Sequence, residues 1–148
     1  MTLDVETRAQ LVATIRRFVD ERLLPAEAQV AETDSMPEEI IAEMRDLGLF
    51  GLSIPEDFDG LGLHMSEEAA LIFEIGRAAP AFRSIFATNV GIGSQGIVID
   101  GTPDQKARYL PCIASGELIG SFALIEPDVG SDAGSVGPAR CATATFTC

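Results

Sequence analysis

The chain has 148 residues, 47% of them hydrophobic, with 8 Phe, 1 Tyr and no Trp; that is a globular composition and argues against a disordered chain. A net charge of −13, from 23 acidic and 10 basic residues, leaves no basic cluster to neutralise phosphates and argues against nucleic-acid binding. The one histidine, His64, beside a Gly-rich loop, reads as a surface residue, so neither a His-based zinc site nor a Ser/His triad is expected. The cysteines (Cys112, Cys141 and Cys148) are odd in number and contain no CxxC, which favours a reducing compartment. The amino terminus lacks a cationic start followed by an apolar stretch, so no leader is expected and the expected location is cytoplasmic. No apolar run approaches the ~20 residues of a membrane span.

A first helix is expected from about Thr2 to Leu24, with Leu11, Ile15, Phe18 and Arg22 recurring at spacings of three and four, until Pro25 ends or kinks it. Ser35 with Glu38, and Pro37 between them, reads as a capping box opening a second helix. Ile40, Ile41, Met44 and Leu47 form its buried face, and Gly48 stops it. Residues 51–65 read as a loop. A third helix begins at Ser66, with Glu67 and Glu68 in the first turn and Leu71, Ile72 and Ile75 facing inward. A fourth follows Pro80 towards Ile99 and contains Gly91, Gly93 and Gly96. These glycines signal either close approach by another element or partial unwinding. Thr102, Pro103 and Gln105 form a second capping box, and the fifth helix ends near Gly116. Leu118 to Ile125 then reads as a strand, ended by Glu126-Pro127. A lone strand after five helices needs a partner for its backbone groups and marks the start of a sheet.

Chemistry concentrates in Gly120-Ser121-Phe122-Ala123-Leu124-Ile125-Glu126-Pro127-Asp128-Val129-Gly130-Ser131-Asp132. Gly130 and Ser131 let backbone amides approach an anionic oxygen, and Phe122 can lie against a planar ring. Read from the residues alone, this is either a ligand loop or an ordinary turn after a strand.

The segment resembles the acyl-CoA dehydrogenase signature, aromatic-Ala-x-Thr-Glu-Pro-x-Ala-Gly-Ser-Asp. Two further segments match that family in order. Pro55-Glu56-Asp57-Phe58-Asp59-Gly60-Leu61-Gly62 resembles its Pro-Glu-x-aromatic-Gly-Gly-x-Gly loop. Gly101-Thr102-Pro103-Asp104-Gln105-Lys106, with Tyr109-Leu110-Pro111 and Gly116-Glu117, resembles its Gly-Thr-x-x-Gln-Lys…Tyr-Leu-Pro…Gly-Glu stretch. The resemblance implies a mainly α chain: the amino-terminal helical domain of the acyl-CoA dehydrogenase fold over 1–117, then the first strand and flavin loop of a truncated β domain over 118–135. It implies FAD-dependent α,β-dehydrogenation of an acyl-CoA thioester, with an electron-transfer flavoprotein as partner and a homo-oligomer at full length. By resemblance, Phe122, Ala123, Leu124, Ile125, Gly130 and Ser131 contact the flavin, and Ser131 also the substrate. Ile125 replaces the usual Thr, so a hydroxyl bond worth about 0.5–1.5 kcal/mol is absent. Val129 replaces Ala. Asp59 replaces a frequent Gly, so a different backbone is expected there. Glu126 is structural, and the family's Glu base lies beyond this region, so no catalytic residue and no metal ligand is assigned. Alternative readings are a non-catalytic helical interaction module and a piece of a related flavin-dependent acyl-CoA oxidase or monooxygenase.

The resemblance stops after Ser135. Residues 136–148 have neither strand alternation nor helix period, and two of the three cysteines lie there. Shifting the reading frame back by one nucleotide lets degenerate codons for Gly137 to Cys148 encode Arg-Thr-Arg-Ala-Val-Arg-Asp-Gly-Asp and then a Tyr- or His-bearing apolar segment. Asp-Gly between alternating strands is a hairpin signal, so an aberrant, frameshifted tail is expected. A chain so truncated is expected to be inactive alone and to bind FAD weakly or not at all.

Overall fold

The computed structural model describes residues 3–121, 129–132 and 134. Seven α-helices occur among the described residues: α1 (Val5–Phe18), α2 (Leu24–Thr33), α3 (Glu38–Asp46), α4 (Met65–Ile75), α5 (Pro80–Thr88), α6 (Gln95–Asp100) and α7 (Pro103–Ala114). The fold is mainly helical, and no strand occurs among the described residues. Of the strand expected over 118–125, residues 118–121 are irregular and Phe122, Ala123, Leu124 and Ile125 lie outside the described residues. The tail from Ser135 onward lies outside them too.

The first helix starts later than expected, at Val5, because Asp4 caps it. The Asp4 carboxylate accepts from the Glu6 and Thr7 amides. Pro25 does not end the helical path, but the helix changes its geometry just ahead of it. Between α1 and α2 the chain makes a wide π turn, Val19–Leu23, in which the Leu24 N–H reaches back five residues to the Val19 carbonyl. Proline cannot bond the carbonyl four residues before it and crowds it. The wider turn, just ahead of Pro25, absorbs that conflict.

The capping box expected at Ser35 does not form. Pro37, with its fixed φ, is the cap, and no side chain bonds the first turn of α3. Gly48 does stop the helix, in the left-handed conformation at φ 69. The following loop folds back on itself. Leu61, Gly62 and Leu63 donate to the carbonyls of Gly51, Ile54 and Leu52 at 2.9, 2.8 and 2.8 Å. Asp59 sits at φ 62, so a glycine-like backbone angle persists under an Asp side chain.

Helix α4 begins at Met65, one residue earlier than expected. Glu67 reaches back to the His64 N–H at 2.8 Å, and its other oxygen takes the Leu3 N–H at 2.6 Å. His64 itself is exposed. The capping box at Thr102 forms as expected, with Gln105 Oε1 accepting from the Thr102 amide at 2.9 Å and Thr102 Oγ1 accepting from the Gln105 amide at 3.3 Å.

Most of the core lies between α1, α3, α4 and α5, around Ile15, Val19, Met44, Leu71, Phe82 and Phe86. Phe50, in the short turn Leu49–Gly51, meets Phe86 edge-on with ring centroids 6.3 Å apart. A second cluster joins Ile54 of the loop to Leu110, Ile113 and Ala114 of α7. No helix among the described residues is long and apolar enough to cross a membrane.

Candidate functional site

The expected fourth helix is two helices joined at a kink. After Thr88 the chain widens into a π turn, Asn89–Gly93, in which Gly91 leaves helical geometry at φ −96 and ψ −108. Both readings of the glycines hold, at different positions. Gly91 carries the kink. Gly93 carries the close approach: a Cβ there would lie 2.6 Å from the Thr88 carbonyl oxygen and 3.2 Å from the Gly120 Cα. Gly96 has nothing within 4 Å and shows no packing reason for being Gly.

A kink strands helix carbonyls, and each buried one needs a donor. Here Ser53 Oγ donates to the Val90 carbonyl at 2.5 Å, and Gln95 Nε2 donates to that hydroxyl at 3.0 Å. The arrangement opens a cleft of about 360 Å³ beside Gly91, lined by Ser53, Leu63, Met65, Glu68, Val90 and Gln95. Burial raises the Glu68 pKa above the usual carboxylate value, and the positive charge of Arg83 offsets part of that rise. The cleft thus combines the apolar side chains of Leu63, Met65 and Val90 with the polar groups of Ser53, Gln95 and Glu68.

Asn89 closes the opposite side of the kink. Its side chain is fully buried. Its Nδ2 donates to the carbonyls of Ile113 at 3.0 Å and Leu118 at 2.8 Å, and its Oδ1 accepts from the Gly120 amide at 2.7 Å. Asn89 and Gly93 together bind the segment leaving α7 to the helical body. Neither Asn89 nor the Ser53–Gln95 pair stands out as a site residue in the sequence. The available signal was an Asn at the edge of an apolar helix face, just ahead of spaced glycines.

Of the residues expected to contact a flavin, Gly130 and Ser131 are described and both are exposed. A Cβ on Gly130 would meet nothing within 4 Å. Among the described residues, crowding thus gives no reason for a glycine there. Phe122, Ala123, Leu124 and Ile125 lie outside the described residues. No group of three or more His, Cys, Asp or Glu side chains with metal-holding geometry occurs among the described residues.

The comparisons with known proteins agree on a family. The family profile "Acyl-CoA dehydrogenase, N-terminal domain" matches residues 5–117. An acyl-CoA dehydrogenase of Bacillus subtilis is 36% identical over 122 residues, which is 82% of this chain and 32% of that protein. A crystal structure of an acyl-CoA dehydrogenase complexed with FAD from Bacillus anthracis superposes with a TM-score of 0.77 at 32% identity, covering 90% of this chain and 23% of that one. A structure described as the electron transferring flavoprotein of Acidaminococcus fermentans superposes with a TM-score of 0.78 at 26% identity, covering 90% of this chain and 35% of that one. The chain thus spans about a third or less of these relatives. It is a member of the acyl-CoA dehydrogenase family, through that family's amino-terminal domain.

Proposed function

We propose that this chain supplies the amino-terminal helical wall of an FAD-dependent α,β-dehydrogenation of an acyl-CoA thioester. One observation supports the reading: the family's helical domain leads into the Gly120–Asp132 segment and bonds its first residue, Gly120, through Asn89. Bound FAD supplies the redox chemistry by accepting the β-hydride. The chain's own residues bind and orient. Phe122, Ala123, Leu124, Ile125, Gly130 and Ser131 would hold the flavin, and Ser131 would also contact the substrate. The cleft at the Gly91 kink, with Leu63, Met65 and Val90 on its apolar side, takes part of the acyl chain. The α-proton falls to a base outside the residues assigned here. The electrons pass to an electron-transfer flavoprotein, and the complete protein forms a homo-oligomer.

The test joins residues 1–132 to the remainder of the Bacillus subtilis relative. Addition of acyl-CoA bleaches the flavin's visible absorption if the reading is right. A folded chimera that holds FAD and stays yellow under saturating acyl-CoA sinks it.

A second reading draws on Met65, Phe73, Ile92, Ile99 and Ile119, large apolar side chains that the described residues leave exposed. It makes the chain a non-catalytic helical module that pairs with a full-length relative. A stable heterodimer in a pull-down, with no change in flavin absorption, favours that reading over the first.

A further inference from the structure

We propose that Asn89 is a positioning residue: it fixes where the chain leaves the helical body on its way to the Gly130–Ser131 loop. The inference rests on the flavin reading above and adds to it a residue outside the signature.

An asparagine amide carries two donor hydrogens and one acceptor oxygen within a single plane. Asn89 uses all three functions, on the Ile113 carbonyl, the Leu118 carbonyl and the Gly120 amide. The three partners are not neighbours in one helix. Ile113 lies in the last turn of α7, whereas Leu118 and Gly120 flank Ile119 in the outgoing segment. One side chain thus reads the end of α7 and two points on the exit segment together. Asp of the same shape lacks both donors, Leu lacks every polar function, and Gln is one methylene too long for a site with no exposure.

The second contact is made by backbone alone. A Cβ on Gly120 would lie 2.9 Å from the Gly93 Cα, so the two chain segments touch through glycine. Asn89 and Gly93 open and close the same π turn. The widened turn therefore presents an amide at one end and a bare backbone at the other, and the exit segment lies across both. Ile119, between the two held positions, is exposed. Leu118 packs partly against the Ile54–Leu110–Ile113–Ala114 cluster, and its N–H donates to the Cys112 carbonyl at 2.9 Å. Past Leu118 the side chain of Ile119 gives no such hold, and the Asn89 bond to the Gly120 amide and the glycine contact take over. A residue needed only to stabilise α7 would bond Ile113 alone. The bonds to Leu118 and Gly120 set the direction of departure.

The experiment uses the full chain and reads backbone amides by NMR. In the unmutated chain the Gly120 N–H is protected from hydrogen exchange to a degree close to the amides of α7. In Asn89→Ala that protection falls on the order of tenfold or more, while the amides of α1 and α4 keep theirs. The Gly130 and Ser131 amide signals shift in the same variant, a response that simple loss of stability does not produce. Two results overturn the proposal. One is a Gly120 amide in the unmutated chain that exchanges at the open-chain rate while α7 stays protected, an observation that needs no variant to fold. The other is a folded Asn89→Ala chain whose Gly130 and Ser131 signals do not move. Titration of the unmutated chain with FAD reports separately on the flavin reading. Absence of fluorescence quenching there counts against flavin contact, and the exchange data still decide the role of Asn89.

Discussion

The Glu67 carboxylate bonds two backbone amides far apart in the chain, Leu3 and His64, and is itself almost completely buried. Its pKa is lowered chiefly by the His64 amide and then by the Leu3 amide, because both bonds favour the charged form. A carboxylate whose pKa is depressed in the folded state contributes stability above its unfolded value. That contribution is lost as pH falls through the folded value. The native chain should therefore resist urea less in acid, below the usual carboxylate range. Glu67→Gln should be less stable at neutral pH and show a shallower acid dependence; an unchanged pH profile would dismiss the bridge. Gly93→Ala tests crowding at the exit segment. The added methyl meets the Thr88 carbonyl, and overpacking of that kind costs about 1–3 kcal/mol in the unfolding free energy. The close approach at Gly93 was legible because glycine in a helix is costly and needs a reason. Asn89 was not, because a lone polar residue midway along a helix expected from Pro80 towards Ile99 reads as a surface position until the partners from α7 and the exit segment are known.

Helix ends were legible where the capping chemistry is local and complete. Thr102 and Gln105 sit at the right spacing with Pro103 between them, and nothing nearby competes. Thr102→Ala should cost about 1 kcal/mol, read as a lower thermal midpoint with the fold retained. Ser35 has the same spacing to Glu38, but Pro37 lies just ahead of the helix and serves as its cap, leaving Ser35 outside. Pro25 marked the place where the helix changes but not the form of the change, since a rule about straight helices says nothing of a π turn that precedes the proline. Between elements, the Phe50–Phe86 contact ties the loop before α4 to α5. Both rings are fully buried, so Phe86→Ala should cost about 3–5 kcal/mol in chemical denaturation. A loss under about 1 kcal/mol would mean that the core closes over the gap. Surface ion pairs should matter much less. Arg16 and Arg77 both reach Glu74, and Arg77 also reaches Asp20, but the arginines are largely in water.

Across the whole molecule, a net charge of −13 works against compaction. Moderate salt should raise the thermal midpoint by screening that repulsion; a midpoint that falls steadily with salt would show that the arginine pairs outweigh it. The helical architecture was legible from periodicity and the family from three ordered segments. The residues proposed for the flavin rest on resemblance, because an apolar run followed by a Gly-Ser turn has no chemistry of its own until a ligand faces it. The proposed change of reading frame near Gly137 makes a claim about nucleic-acid sequence. DNA across codons 130–148 should stay open in the alternative frame and encode the Asp-Gly hairpin, and an immediate stop codon there would end the idea. The π turn ahead of Pro25 has a further consequence for how this helical arm tolerates change. Such a turn holds one residue more than an α turn, and each residue rotates the helix by about 100°. Deleting one residue from Val19–Leu23 would turn the inward side of α2, with Leu24, Ala26 and Val30, away from the core while leaving α1 in phase. Insertions and deletions in this arm should therefore be accepted only in sizes that preserve the rotational offset, whatever the chemical character of the residues gained or lost.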